Sequence, residues 1–492
     1  MYKNNIFDKV LEEKKEKDFY LAYKDNNGVD KYGIEVERLI SIRPNSQQQI
    51  YNDIKYYNFI HFGMNTYTGK EWGTGKEKPT QFKLKTFDAE SIVEILKKSG
   101  SQGIILTAKH HDGFCLWQTQ TTNHSIKKSK YKNGKGDIVK ELAEACKKKN
   151  MHFGIYLSPW DRSAKEYGTN KYNILYLEQL HELTTQYGPI FEVWLDGAKD
   201  KKSENFEYDF EAYYSLIREN QPNAVIAIMG PDVRWIGNEK GQGRKDEWLV
   251  VPEQLSNFSK CLQSNNIIVE PLNLTSEDLG SRDVLKHYDS LVWYPSEMDV
   301  SIRKGWFYHW YQKPKNVYEL EQIYYNSVGK NASLLLNVPL NKKGNIAKAD
   351  QRVLEAFGKL INWDEKNEVA YVASIGNTIK SREILSEIIS SFDNKGVSFL
   401  EGEYLLNLKF NDEKSIQEIH LREDILEGQR IEKFNVYFKS KDSWLLVATC
   451  GNIGSLRIVR FSENLPKTSE IRIAILQSRS DPVFRTVKVY AY

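Results

Sequence analysis

Four side chains able to do chemistry stand just past apolar runs: His61 after NFI, His110 and His111 in AKHHDGF, and Asp196 in FEVWLDGAKD. In the last run, Phe191, Val193 and Leu195 read as the inward apolar side of a strand, and Asp196 ends it. A carboxylate there sits at the mouth of whatever the strand helps to build. It can act as nucleophile, base or metal ligand, or simply open a turn. A metal is disfavoured: adjacent His110 and His111 point to opposite faces of an extended strand, and the chain has no HxH or HExxH. No metal and no other cofactor is expected. Neutral histidines can instead donate and accept hydrogen bonds to a polyhydroxylated ligand.

Aromatic residues make up 12 % of the chain, with 29 Tyr and 11 Trp. Many fall in loop-like stretches such as SPWD, DVRW and GWFYHWY, where exposed rings suit the apolar faces of sugars. With metal disfavoured, glycoside chemistry becomes the leading class for Asp196. It requires a second carboxyl group, about 5 Å away in retaining enzymes and farther in inverting ones. Glu239, Glu247, Glu297 and Asp299 all lie at or near later strand ends, and the residue pattern alone does not choose among them.

These groups need a scaffold. From about 57 to 363, apolar runs alternate with amphipathic helical ones: FIHFG, GIILTA, HFGIYLS, FEVWLD, AVIAIMG, SLVWYP and SLLLNV as strands, with helices such as AESIVEILKKSG and GDIVKELAEACKKK between them. No GxGxxG follows the first strand and no Walker loop occurs. The polar and aromatic residues cluster at the strands' C-terminal ends, the catalytic face of a (β/α)8 barrel. The fold class is therefore α/β, a (β/α)8-like barrel over 51–362. Residues 363–492 read as short alternating strands of an antiparallel β-sandwich, with one helix-like run, SREILSEIISSF. Residues 1–50 form a charged helical or irregular lead-in.

The charge balance, 69 basic against 66 acidic residues, and the scattered lysines argue against a nucleic-acid partner. Four cysteines without a CxxC pair exclude a disulfide scaffold and a thiolate zinc site. No apolar run is long enough to span a bilayer, so no membrane is expected. The charged N-terminus shows no signal peptide, which points to the cytoplasm, or to secretion if a leader has been removed.

HFGMNTYTGKEWG, LTAKHHDGFCLWQT, FGIYLSPWD, EVWLDGA and KNASLLLNVPLNKKGNI together resemble glycoside hydrolase family 29, the retaining α-L-fucosidases, in the same order across the whole barrel. The resemblance implies that Asp196 is the nucleophile and that His61, His110 and His111 hold the fucose hydroxyls. It places Glu71, Trp72, Trp117, Tyr156 and Trp194 in segments that line the sugar pocket. GPDVRWIGNEKGQGR and WYPSEMDVSIRKGWFY resemble the branch that removes fucose linked α-1,3 or α-1,4 in Lewis-type glycans. That implies Glu239 as acid/base, Glu297 and Arg303 beside the pocket, Trp306 on its rim, and fucosylated oligosaccharides or glycoconjugates as partners. The C-terminal domain resembles a discoidin-like sandwich, which braces the barrel or binds sugar. The alternatives are a broad-specificity fucosidase of the family's other branch, or a barrel that binds sugar without cleaving it.

Overall fold

Period-two alternation of side chains builds the central sheet of the protein, here a computed structural model that describes residues 29, 33–203, 206–256, 272–361, 368–375, 397–398 and 404–492. Its strands are β1 (Tyr56–Ile60), β2 (Gly103–Lys109), β3 (His152–Leu157), β4 (Glu192–Leu195), β5 (Val225–Ile228), β6 (Arg234–Trp235), β9 (Ser296–Ser301) and β10 (Ser333–Asn337). They lie in the order β5-β4-β3-β2-β1-β10-β9-β6, all parallel. The Ile228 amide donates to the Val233 carbonyl at 2.9 Å, which nearly closes the sheet into a barrel. The outer helices are α1 (Ala89–Lys98), α2 (Ile138–Lys148), α3 (Asn170–Gln186), α4 (Phe210–Asn220), α5 (Val317–Ser327) and α6 (Lys348–Ile361). Asp88, Asp137 and Asp209 cap α1, α2 and α4 by accepting the first free amides, and Asn316 caps α5 with a reciprocal bond from Glu319.

Two layers of packing follow from the alternation. Ile60, Leu106, Ile155, Val193, Leu195, Met298, Val300, Leu334 and Leu336 face outward into the sheet–helix core. Tyr57, Phe59, Ile105, Tyr156, Trp194, Val225 and Leu335 fill the barrel interior. The reading of FEVWLD is corrected here. Val193 and Leu195 face the helices, and the inward set is Glu192, Trp194 and Asp196. A parallel strand is covered on both sides, so its apolar face need not be the face toward the barrel axis.

SLVWYP is also corrected. Leu291–Trp293 (β8) pairs antiparallel with Val250–Pro252 (β7), apart from the barrel sheet. The next run, SEMDVS, is the barrel strand β9, which directs Met298 and Val300 outward and Glu297 and Asp299 inward. Its inward polar residues disguise it as a loop in the sequence.

The described part of the first fifty residues forms two short helices, Val36–Ser41 and Ser46–Asn52. Ile34 and Leu39 pack with Leu249, Trp293 and Ile425. After α6, a five-stranded and a four-stranded antiparallel sheet enclose a second core that includes Leu406, Phe434, Ile473 and Val489. SREILSEIISSF and Cys261 lie outside the described residues. No described helix is long and apolar enough to cross a membrane.

Candidate active site

The inward parity of each strand carries its last side chain to the C-terminal mouth of the barrel. On β1, Tyr57 and Phe59 are followed by His61; on β4, Glu192 and Trp194 are followed by Asp196. β2 has a register shift between Thr107 and Lys109. It turns Lys109 toward α3, where its ammonium meets Asp161 at 3.0 Å and Gln179 at 2.8 Å. His110 is thereby left to stack on Tyr156, centroids 5.6 Å apart and 19° from parallel. Trp306 enters from the loop after β9, its centroid 5.0 Å from that of His61.

Asp196 is held from two sides. The Tyr156 hydroxyl donates to one carboxylate oxygen at 2.7 Å, and the Ala198 amide donates to the other at 2.8 Å. His111 Nε2 lies 3.9 Å from Asp196, while its Nδ1 pairs with the Ser158 hydroxyl at 2.7 Å. His61 Nδ1 pairs with Asn337 Oδ1 at 2.9 Å. Burial lowers the pKa of all three histidines, that of His61 to about 3, so they present neutral imidazoles able to hydrogen-bond to hydroxyl groups. Burial, reinforced by the charge of Asp196, raises the Tyr156 phenol well above its ordinary value and keeps it a donor.

Glu239 reaches the same mouth from beyond β6, which lies two strands from β4 across the β5–β6 closure. It stands four residues beyond β6, after Gly237, whose φ is +107° and whose backbone passes so close to the Leu274 carbonyl that a Cβ would lie 2.3 Å from that oxygen. No side chain fits that turn. Burial raises the Glu239 carboxyl; the Trp306 indole N–H, which donates to it, acts in the other direction, and the charge of Asp196 raises it further. The two carboxyl groups are therefore close enough for the charge of one to act on the other.

Beneath this layer lie three more carboxyls. Glu297 accepts from the Trp194 indole at 2.8 Å and from the Tyr57 hydroxyl, and it is buried beside Glu192. Asp299 accepts from the Trp235 indole at 2.7 Å. Burial raises all three. Glu247 is different: burial pushes it up, but Arg234 at 2.8 Å and Arg244 at 2.9 Å outweigh this and hold it below its ordinary value. A carboxyl so paired is poorly suited to give up a proton near neutrality.

Not every expected pocket residue reaches the mouth. Trp117 is wholly buried behind the sheet and donates to Glu182 of α3 at 2.7 Å, so it braces the barrel wall. Glu297 forms the floor under Trp194. Arg303 makes a paired contact with Asp350, at 2.9 and 2.7 Å, and bonds the Gln312 carbonyl, which fixes the loop after β9. Glu71 accepts from the amides of Trp306 and Phe307 at 2.9 and 3.2 Å and pairs with His309 at 2.7 Å, so it staples two rim loops together. Trp72 stands on the rim, 58 % exposed, edge-on to Trp160. Asn337, Ser158, Trp160 and Phe307 are site residues that sequence reasoning missed. Asn337 was within reach, since Ser333, Leu335 and Asn337 share one parity of β10.

Among the described residues no group of three or more His, Cys, Asp or Glu side chains is arranged to hold a metal ion. The constellation is a ring of neutral imidazoles and aromatic faces around two carboxyls, an arrangement suited to binding a sugar and exchanging protons with it.

Comparison with known proteins agrees with that chemistry. The family described as alpha-L-fucosidase matches residues 30–367. The chain is 39 % identical over 462 residues to alpha-L-fucosidase 1 of Arabidopsis thaliana, covering 91 % of this chain and 87 % of that one. Its fold is similar to that of a candidate alpha-L-fucosidase from Bacteroides ovatus, with a TM-score of 0.81 and 39 % identity, over 93 % of this chain and 75 % of the other. It is also similar to a glycoside hydrolase family 29 fucosidase of Ruminococcus gnavus in complex with fucose, with a TM-score of 0.79 and 32 % identity, over 92 % and 95 % of the two chains. The protein belongs to the α-L-fucosidase family, glycoside hydrolase family 29, and its barrel carries the fold on which that hydrolase activity is built.

Proposed function

We propose that the protein is a retaining α-L-fucosidase that removes α-1,3- or α-1,4-linked fucose from branched, Lewis-type glycans. Asp196 attacks the anomeric carbon and forms a glycosyl-aspartate, while Glu239 protonates the departing glycosidic oxygen. Glu239 then deprotonates the water that releases fucose with its configuration retained. The observation that carries this reading is the pairing of Asp196 with a second carboxyl on the same mouth whose pKa is raised by burial and by the charge of Asp196 itself. A general acid must stay protonated beside an ionised nucleophile, and unlike environments divide the two roles.

His61, His110 and His111 are assigned to the fucose hydroxyls, with Trp306 and Tyr156 packing around the ring. Two arginines occupy Glu247, and Glu297 and Asp299 lie below the mouth, which supports Glu239 as the acid. The linkage preference rests on the likeness of the Glu239 and Trp306 segments to the branch acting on Lewis-type glycans.

The experiment is the release of free fucose from a Lewis-type trisaccharide and from an aryl α-L-fucoside, with Asp196→Asn as the blank. The expected result is a higher kcat/KM for the trisaccharide, with ¹H NMR showing α-fucose as the first-formed anomer. A higher kcat/KM for the aryl fucoside would move the protein to the broad-specificity branch. β-Fucose formed first would overturn the retaining mechanism.

A further inference from the structure

The loop after β9 faces in two directions. Its first part turns Trp306 and Phe307 into the site, where Trp306 bonds Glu239 and Phe307 packs 5.0 Å from His110. Its second part holds Trp310 and Tyr311 out in solvent, 84 % and 65 % exposed. Their rings are perpendicular with centroids 6.0 Å apart, and Tyr311 lies 5.5 Å from His309.

These exposed rings sit on a braced loop. Glu71 ties down the amides of Trp306 and Phe307 and the His309 ring. The Ser301 hydroxyl donates to the Gly305 carbonyl at 2.8 Å, and the Gly305 amide donates to Gln312 Oε1 at 3.2 Å. Arg303 holds the Gln312 carbonyl from within, anchored on buried Asp350. The loop is thus tied at its start, middle and end, and a rigid ring presented to solvent is a pre-ordered contact surface.

We propose that Trp310 and Tyr311 form a leaving-group platform, which receives the pyranose ring of the glycan that bears the fucose and stacks its apolar C–H face. The inference deepens the proposed function and rests on Glu239 as proton donor. The glycosidic oxygen must come within hydrogen-bond reach of Glu239 during proton transfer. The next sugar therefore emerges beside the residue that bonds Glu239, which is Trp306, and Trp310 and Tyr311 continue the same loop outward. Trp72, next to Glu71 on the stapled neighbouring loop, extends the aromatic rim. The platform is continuous with the fucose site, so its occupant is the rest of the substrate.

The test compares wild type, Trp310→Ala, Tyr311→Ala and the double variant on two substrates. One is a Lewis-type trisaccharide; the other is α-L-fucosyl fluoride, which carries no sugar in its leaving group. The double variant is expected to lose about tenfold in kcat/KM on the trisaccharide, chiefly through KM, and to stay within about twofold of wild type on the fluoride. An unchanged ratio between the substrates overturns the platform, whether neither rate falls or both fall equally. An unchanged ratio with an altered sedimentation coefficient would instead make this surface a contact between two copies of the chain. The choice of acid is judged by a separate variant, Glu239→Gln, so failure of that assignment and failure of the platform are distinguishable.

Discussion

In the proposed mechanism Asp196 and Glu239 divide the chemistry because their surroundings differ. Asp196 receives two hydrogen bonds from neutral donors, whereas Glu239 is raised first by burial and then by the charge of Asp196. Asp196→Ala should lower kcat/KM by at least about a thousandfold on both the trisaccharide and the fluoride, read as fucose or fluoride released. Glu239→Gln should cost about 10²- to 10⁴-fold on the trisaccharide and little on the fluoride, whose leaving group needs no proton. The wild-type rate on the trisaccharide should fall as pH rises through the raised pKa of Glu239, placing the basic limb above the ordinary carboxylate range. That limb should vanish in Glu239→Gln. Asp112, beside His111, allows a stability test. Burial pushes its pKa up to about 8, against 3.8 ordinarily, with Glu77 and Asp161 adding to the rise. Its folded form holds a proton that the unfolded form has lost, so its contribution is full below about pH 4 and disappears as pH rises through about 8. Wild-type Tm should decline across that window, and Asp112→Asn should flatten the decline, removing a pH-dependent component on the order of a few kcal/mol.

Elements rather than single residues place the aromatic wall. The loop after β9 carries Trp306, yet its position depends on Glu71, which belongs to the loop after β1. Glu71→Ala leaves two amides and His309 without their acceptor and frees Trp306 from its place beside His61. KM should rise about tenfold on the trisaccharide and on the fluoride alike, with kcat less affected, and Glu71→Gln should recover part of the loss because it keeps one acceptor oxygen. A loss confined to the trisaccharide would show that Glu71 acts only on the leaving-group side. The sequence marked Glu71 and Arg303 as pocket residues; the structure uses both as ties for the loop that forms the pocket. A charged residue near an aromatic motif reads the same way in either role, because only the partner's position distinguishes them.

At the scale of the whole molecule, the sandwich is fastened to the barrel by polar groups that bond across the boundary between them. Glu432 accepts from Arg282 at 2.8 Å and from Arg479 at 2.9 Å. Arg479 also reaches the Gly280 carbonyl at 2.6 Å, and Arg282 the Ser478 carbonyl at 2.8 Å. Asn452 of the sandwich bonds the Glu247 carbonyl at 3.0 Å, and so reaches the segment that follows Glu239. Glu432→Ala would leave two buried guanidinium groups without their carboxylate. It should destabilise the protein by about 3–5 kcal/mol, seen as a lower midpoint in urea unfolding. If the midpoint does not move, the sandwich is not a brace through this network. The urea experiment thus tests the bracing alternative that the sequence left open, and a sugar-binding role for the sandwich does not depend on it.

The sequence by itself determined the alternation of strands and helices, the barrel, the change to β-sandwich, and the strand ends that carry His61, His110, His111 and Asp196. These are local properties: hydrophobic period, capping residues and turn chemistry act within a few residues of chain. Only the tertiary structure decided which face of β4 looks inward, that SEMDVS rather than SLVWYP is the barrel strand, and that Trp117 lies behind the wall. It alone engaged Glu247 with two arginines while Glu239 shares a mouth with Asp196. A strand covered on both sides can turn either its apolar or its polar face toward the barrel axis, and a carboxyl's role depends on its distance from groups far away in the chain. That distance exists only once the barrel has closed.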